Sequence, residues 1–200
     1  KQKRLPFTAE TCPHYLYFTA EEIPDNNTLF KCTPPIRERE NNEKLWEGLK
    51  TGLIDFVVSD HSPSVPGLKL IGTDDWKNAW GGISSLQFSL SAFWTKAKQK
   101  GFSLQDVYRL MSLKVAEFIN TGNRKGKIEK NFDADIVIWD PEKKFTVKQE
   151  DIHFKNKITP YLGEVLYGVV TQTYVKWKKV FDSVKFVSLE QGQIIFRDGY

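Results

Sequence analysis

Sulfur is scarce in this sequence: it has two cysteines, Cys12 and Cys32, and a single methionine. Without a CxxC pair, so few cysteines exclude both a disulfide scaffold and a cysteine-rich zinc module, and a reducing compartment is the default. Long apolar runs are also missing. None approaches the roughly 18 residues that a membrane span requires. Charge of one sign is lacking too. The formal charge is +4, from 29 basic and 25 acidic residues that are mostly interspersed. The basic runs Lys1-Gln2-Lys3-Arg4 and Lys176-Trp177-Lys178-Lys179 are short. Neither a nucleic-acid partner nor a membrane partner is therefore expected. The start, Lys1 to Pro6, offers no initiator Met and no apolar segment of a signal peptide. The chain is expected to be a piece of something longer.

What is present is globular. Forty per cent of the residues are hydrophobic, and six Trp and fourteen Phe supply enough apolar area for a sizeable core. Two regimes follow each other. Up to about residue 120, apolar runs alternate with helical patterns, which indicates α/β organisation. From about 125, β-branched alternation replaces helical periodicity. The expected boundary divides residues 1–124 from 125–200.

In the first part, Asn41 or Asn42 opens a helix whose Leu45, Trp46 and Leu49 share a face, and Gly52 closes it. Ile54 to Val58 reads as a strand. Ser64 to Gly82 is a long polar loop of the kind that carries function. Ile83 to Lys100 reads as a helix ended by Gly101. Ser103 and Asp106 form a capping pair for another helix, with Leu104, Val107, Leu110, Met111, Val115 and Phe118 as its core face. In the second part, Ala134 to Trp139 is a strand ended by Asp140-Pro141. Further strands are expected at Phe145–Val147, between Gly163 and Trp177, at Val180-Phe181, and at Gln193–Arg197.

The strongest chemical signal is Asp60, just beyond the strand Ile54–Val58 and followed by His61, Ser62 and Pro63. At the C-terminal end of a β/α-barrel strand, a carboxylate is held rigidly enough to ligate a metal and to accept a proton from water. An aspartate capping a turn gives the same pattern. His14 holds the equivalent place after the first strand candidate, Leu5–Ala9. His61 either contacts a ligand or points away, since strand neighbours face opposite sides. His153 reads as a surface residue. Cys12 and Cys32 read as small buried hydrophobes, and a Cys12–His14 nucleophile pair conflicts with the tight turn at Pro13. Gly81-Gly82 and Thr33-Pro34-Pro35-Ile36-Arg37 offer constrained backbone to a ligand, or are an ordinary linker and surface loop. Counting ligands sets a limit. A catalytic zinc site needs about three protein ligands, a binuclear one more, and three histidines cannot build a histidine-rich binuclear centre.

Four segments, in order, carry a resemblance: Glu10-Thr11-Cys12-Pro13-His14-Tyr15-Leu16, Lys31-Cys32-Thr33-Pro34-Pro35-Ile36-Arg37, Val58-Ser59-Asp60-His61-Ser62-Pro63 and Ala79-Trp80-Gly81-Gly82-Ile83. Together they resemble the cyclic amidohydrolases of the amidohydrolase superfamily, the group of dihydroorotase, dihydropyrimidinase and allantoinase, and within it the allantoinase branch most. The resemblance continues through Lys125–Glu129, Ala134-Asp135-Ile136 and Lys157–Tyr161.

It implies an α/β fold, namely the C-terminal part of a TIM-like (β/α)8 metal-dependent hydrolase barrel plus part of a small β-sandwich domain. It implies a binuclear zinc centre in which Asp60 is a ligand, accepts the proton of the attacking water and later protonates the leaving ring nitrogen. The His-x-His, the carboxylated lysine and the later histidine ligands would lie upstream of Lys1. Thr33, Trp80 and Gly81 would bind substrate, and His14 and His61 would stand in or behind the pocket. The implied reaction of the intact parent is hydrolysis of allantoin to allantoate, with a homo-oligomer, a tetramer, as its assembly. The 200 residues alone would be inactive. A dihydropyrimidinase-like hydrolase of cyclic ureides and a non-catalytic scaffold remain the alternatives.

Overall fold

A computed structural model describes residues 6–183, 185–187 and 192–195. The basic start Lys1–Arg4 lies outside these residues, and the strand candidates at Leu5–Ala9 and Gln193–Arg197 lie partly outside them.

Two short parallel strands organise the first part. β1 (Glu10–Thr11) pairs with β2 (Phe56–Val57), Glu10 opposite Phe56 and Thr11 opposite Val57. Parallel neighbours need a crossover. Here it consists of α1 (Pro13–Tyr17), two 3₁₀ turns (Ala20–Glu22 and Thr28–Phe30) and α2 (Arg39–Lys50). Past β2, His61 forms a parallel bridge with Ile83, so the progression continues one strand position further.

α2 is the helix that the spacing of Leu45, Trp46 and Leu49 predicts. Trp46 and Leu49 are buried, the Trp46 indole N–H donates to the Leu16 carbonyl at 3.3 Å, and Gly52 follows at φ 71°. Burying side chains of this size stabilises the fold by about 1.5–3 kcal/mol each.

The helix expected from Ile83 starts later. α4 (Ser89–Gln99) is preceded by a 3₁₀ turn (Leu86–Phe88), because Ile83 to Ser85 are held extended against the loop after β2. Between β2 and that turn stands the one-turn helix α3 (Pro66–Lys69). The capping box at Ser103 and Asp106 is present and opens α5 (Leu104–Tyr108). A π turn (Arg109–Leu113) then leads into α6 (Lys114–Phe118). Val107 and Leu110 of the expected apolar face are buried, but its ends are not: Leu104 is 45% and Phe118 53% exposed.

The second part is one antiparallel sheet, in the order β3 (Ile136–Thr146), β4 (Val165–Val175), β5 (Lys178–Asp182), β6 (Lys185–Phe186). Among the described residues the other sheet is the β1–β2 pair, and no second β-sheet completes a sandwich with this one. Asp140-Pro141 does not end the strand as expected. The register slips between Asp140 and Lys144, and the Asp140 carboxylate accepts the Glu142 and Lys143 amides. The proline therefore sits in a bulge, where its missing N–H costs no ladder bond.

The two parts share their interior. Val147, Ile152, Tyr161 and Leu166 pack in one cluster with Tyr17, Phe18 and Phe88. α4 is fastened to β4 through its hydroxyls: Ser91 donates to the Gly168 carbonyl at 2.6 Å, and Thr95 accepts the Tyr167 amide at 2.8 Å. No helix among the described residues is long and apolar enough to cross a membrane.

Candidate functional site

The loops that leave β1 and β2 at their C-terminal ends meet. After β1 the chain turns at once into α1, with Cys12 at its N-cap position and Pro13 at its first position, where the absent N–H is harmless. That turn buries both Cys12 and His14. After β2, Asp60 adopts φ 44°, the left-handed region that a non-glycine residue enters only when its surroundings hold it there. The result is a cluster in which the Cys12 sulfur, a His14 ring nitrogen and an Asp60 carboxylate oxygen all lie within 4.8 Å of one another. Among the described residues it is the one group of three or more such donors close enough to hold a metal ion.

The electrostatics of the cluster follow from its burial. His14 is completely buried, and neither ring nitrogen has a hydrogen-bond partner. Burial, with the Lys69 charge behind it, lowers its pKa to about 4, so the imidazole is neutral and one of its nitrogens is a free lone pair. Burial also pushes the Cys12 thiol up to about 12, and the charges of Asp60 and Glu10 push in the same direction. Asp60 is exposed, and no hydrogen bond or ion pair engages its carboxylate among the described residues.

His61 turns away from the cluster. Its Nδ1 accepts the backbone N–H groups of Ser85 at 3.0 Å and Leu86 at 3.2 Å, and its ring lies 5.3 Å from that of Phe154. The Ser85 hydroxyl returns to the Ser59 carbonyl at 2.7 Å. His61 thus ties the loop carrying Asp60 to the 3₁₀ turn before α4.

Thr33 and Gly81 come together, and Ser62 and the Trp80 indole close on Gly82. A Cβ on Gly81 would lie 2.6 Å from the Thr33 hydroxyl, and one on Gly82 would lie 2.3 Å from that of Ser62. Only glycines let these loops approach so closely. Trp80 is 44% exposed, and its backbone N–H donates to the Leu68 carbonyl at 2.7 Å. Beside these loops a cleft of about 370 Å³ is lined by Ile23, Phe30, Cys32, Ile36 and Trp76 among others. Arg37 pairs with Glu38 at the surface. His153 is exposed and touches Phe181 and Phe186, apart from the cluster.

Two residues gain a significance that the sequence pattern does not signal. Lys69 is buried, donating to the Lys31 carbonyl at 2.7 Å and the Thr28 carbonyl at 3.4 Å, and burial lowers its pKa to about 8. It lies inside the expected polar loop, and only Pro66, a helix-opening residue, hints at order there. Cys12 reads as a small hydrophobe, although its position two residues before His14 around a proline is itself a cue.

Asp60 suits a metal ligand: its carboxylate stands on a left-handed backbone turn past a strand end, is unclaimed by other groups among the described residues, and lies within 4.8 Å of an orphaned imidazole. A binuclear centre needs more ligands than the three donors that this cluster offers among the described residues.

Residues 11–184 match the family model described as the amidohydrolase family. The chain is 44% identical over 198 residues to an allantoinase of Streptomyces avermitilis, covering 99% of this chain and 43% of that protein. It is 46% identical over 183 residues to an allantoinase of Arabidopsis thaliana, covering 90% of this chain and 36% of that one. Among solved structures, it is similar to dihydropyrimidinase from Brevibacillus agri, with a TM-score of 0.85 and 31% identity, over 93% of this chain and 41% of that one. The chain thus spans less than half the length of these relatives.

Proposed function

The chain belongs to the amidohydrolase family, and from that premise we propose that it carries one side of the active site of a metal-dependent cyclic amidohydrolase that opens allantoin to allantoate. Its β/α part is a segment of a TIM-barrel-like hydrolase. We place the boundary of that part at residue 124 and assign residues 125–200 to the C-terminal part of a small β-sandwich domain. The observation that carries the functional reading is Asp60, held in a left-handed conformation past the end of a parallel strand, with its carboxylate unengaged among the described residues.

Zinc, when bound, supplies Lewis acidity toward the ring carbonyl and lowers the pKa of water. The remaining ligands, with the carboxylated lysine, belong to the portion of the relatives that this chain does not span. Asp60 accepts a proton from the attacking water as its oxygen bonds to the ring carbonyl carbon. It then gives that proton to the ring nitrogen as the C–N bond breaks, so one water is consumed and the carboxylate regenerated. Thr33 and the Trp80-Gly81 segment hold the planar ring, which orients the scissile bond toward Asp60. His14, neutral and buried, lines the pocket behind Asp60. His61 acts from outside it, by fixing the loop that holds Asp60. The substrate is a small cyclic ureide, and the assembly is a homo-oligomer, a tetramer.

A second reading, a dihydropyrimidinase-like hydrolase, is favoured by the similarity to the Brevibacillus agri structure. Both readings meet the same test, metal content and hydrolysis of allantoin and dihydropyrimidines by the intact protein and its Asp60→Ala form. Allantoin turnover, about two bound ions and loss of turnover in Asp60→Ala are expected. Preference for a dihydropyrimidine favours the second reading. An intact protein that binds no metal and opens neither ring overturns both and leaves a scaffold. The 200-residue chain alone is expected to turn over nothing.

A further inference from the structure

We propose that Cys12, His14 and Asp60 form a mixed sulfur–nitrogen–oxygen site for a single thiophilic divalent cation of the zinc–cadmium class, built from this chain alone. This goes beyond the catalytic reading, which uses Asp60 but neither Cys12 nor His14 as ligands.

Three observations converge. The first is proximity, with one donor atom from each residue inside 4.8 Å of the others. Zinc bonded tetrahedrally at its usual lengths sets donors about 3.3–3.8 Å apart. The cluster therefore has to close by at most about 1–1.5 Å, and the exposed Asp60 side chain is free to make that movement.

The second observation is the orphaned imidazole. Buried polar groups are almost always bonded, and leaving one unbonded is costly. His14 nonetheless leaves both nitrogens unpartnered at zero exposure. An ion on the lone-pair nitrogen partners one of the two and removes part of that cost. The third is the arrangement of the chain. Cys12 and His14 are fixed by the same proline turn at the end of β1, while Asp60 comes from the end of β2. The two parallel strands thus set the separation between the two halves of the donor set.

The donor types select the ion. A cysteine sulfur with an imidazole suits zinc, cadmium and other thiophilic ions, whereas magnesium and calcium require oxygen ligands throughout. Three protein donors also leave a fourth position open to water or an anion. On binding, the Cys12 S–H proton passes to solvent and the sulfur binds as thiolate.

The test is a cadmium titration of the reduced, metal-free chain, following the ultraviolet sulfur-to-cadmium charge-transfer band, with zinc as competitor. We expect about one ion per chain, the coordination of a single site. The band should vanish in Cys12→Ser and persist in Cys32→Ser, whose thiol is also buried and free. Cadmium affinity should fall by about tenfold or more in Asp60→Asn and in His14→Gln. Asp60 is exposed, so its near-isosteric variant keeps the result interpretable if His14→Gln is poorly folded.

No band, a band that survives Cys12→Ser, or unchanged affinity in Asp60→Asn overturns the proposal. The readout needs no turnover. A protein that opens no cyclic amide leaves this result untouched, and an active enzyme without the band sinks this inference alone.

Discussion

Replacing His61 by alanine separates a structural histidine from a ligand-contacting one. The Nδ1 acceptor serves two backbone donors. Leu86 is 61% exposed, so its amide rehydrates at little cost. Ser85 is fully buried, and its amide is left without a partner, a loss of about 1–3 kcal/mol. Removing the ring tilted against Phe154 adds about 0.5–1 kcal/mol. The sum is about 2–3 kcal/mol once these ranges are centred. For a chain of this size that lowers Tm by about 4–12 °C. Thermal unfolding followed by circular dichroism measures it. His61→Phe keeps a ring against Phe154 without the acceptor, so it should lose most of the stability. His61→Asn restores an acceptor oxygen and should recover part. Amide exchange at Ser85 should accelerate in the alanine and phenylalanine forms and stay slow in wild type. Wild-type stability in His61→Phe, with Ser85 exchange unchanged, refutes the capping role.

Gly82→Ala should destabilise by about 1–3 kcal/mol, because the new methyl lies 2.5 Å from the Ser62 Cβ as well as close to its hydroxyl. Ser62→Gly on that background should restore part of the loss in urea unfolding, whereas Ser62→Ala should not, since the Cβ remains. Ser103→Ala should cost about 1 kcal/mol by removing the cap that opens α5. Its partner titrates too. The Ser103 backbone N–H, bonded to the Asp106 carboxylate, holds that group below its usual value of 3.8. A carboxylate depressed in the folded state adds stability that is present above its unfolded pKa and fades as pH falls through the folded one. The wild-type margin over Asp106→Asn should therefore shrink below about pH 4 and be unchanged between neutral pH and 6.

Local patterns were legible wherever the cause is local. Leu45, Trp46 and Leu49 with Gly52 announce α2, and Ser103 with Asp106 announces the capping box. The β-branched run before Asp60 places that carboxylate at a strand end, where the structure has it. What the pattern hides depends on a distant partner. The acceptor role of His61 needs Ser85, 24 positions away, and the same contacts delay the helix from Ile83 to Ser89. Lys69 is buried because carbonyls of another loop, Thr28 and Lys31, receive its ammonium. A sequence pattern reads any lysine as solvated. Asp140-Pro141 carries the same signal in a strand end and in a bulge, and the difference lies in the pairing with β4. Periodicity identifies Leu104 and Phe118 as one face of a helix but cannot say how far the cover over that face extends. Cys12 and His14 announce a proline turn. That Asp60 comes to meet them follows from strand order, which no single segment encodes.

The interior shared by helices and sheet bears on how this chain can be divided. Leu166 and Tyr161, fully buried, sit against Tyr17 and Phe18 at the end of α1, three or four positions past His14. A cut near residue 125 would follow the change in secondary structure and still strip the support from the helix that holds Cys12 and His14. Grafting the β/α segment onto another scaffold, or recombining it between relatives, therefore requires carrying Val147 to Leu166 along with it. The inherited unit extends past the visible seam, and crossover points placed after β4 are the ones that leave the donor cluster intact.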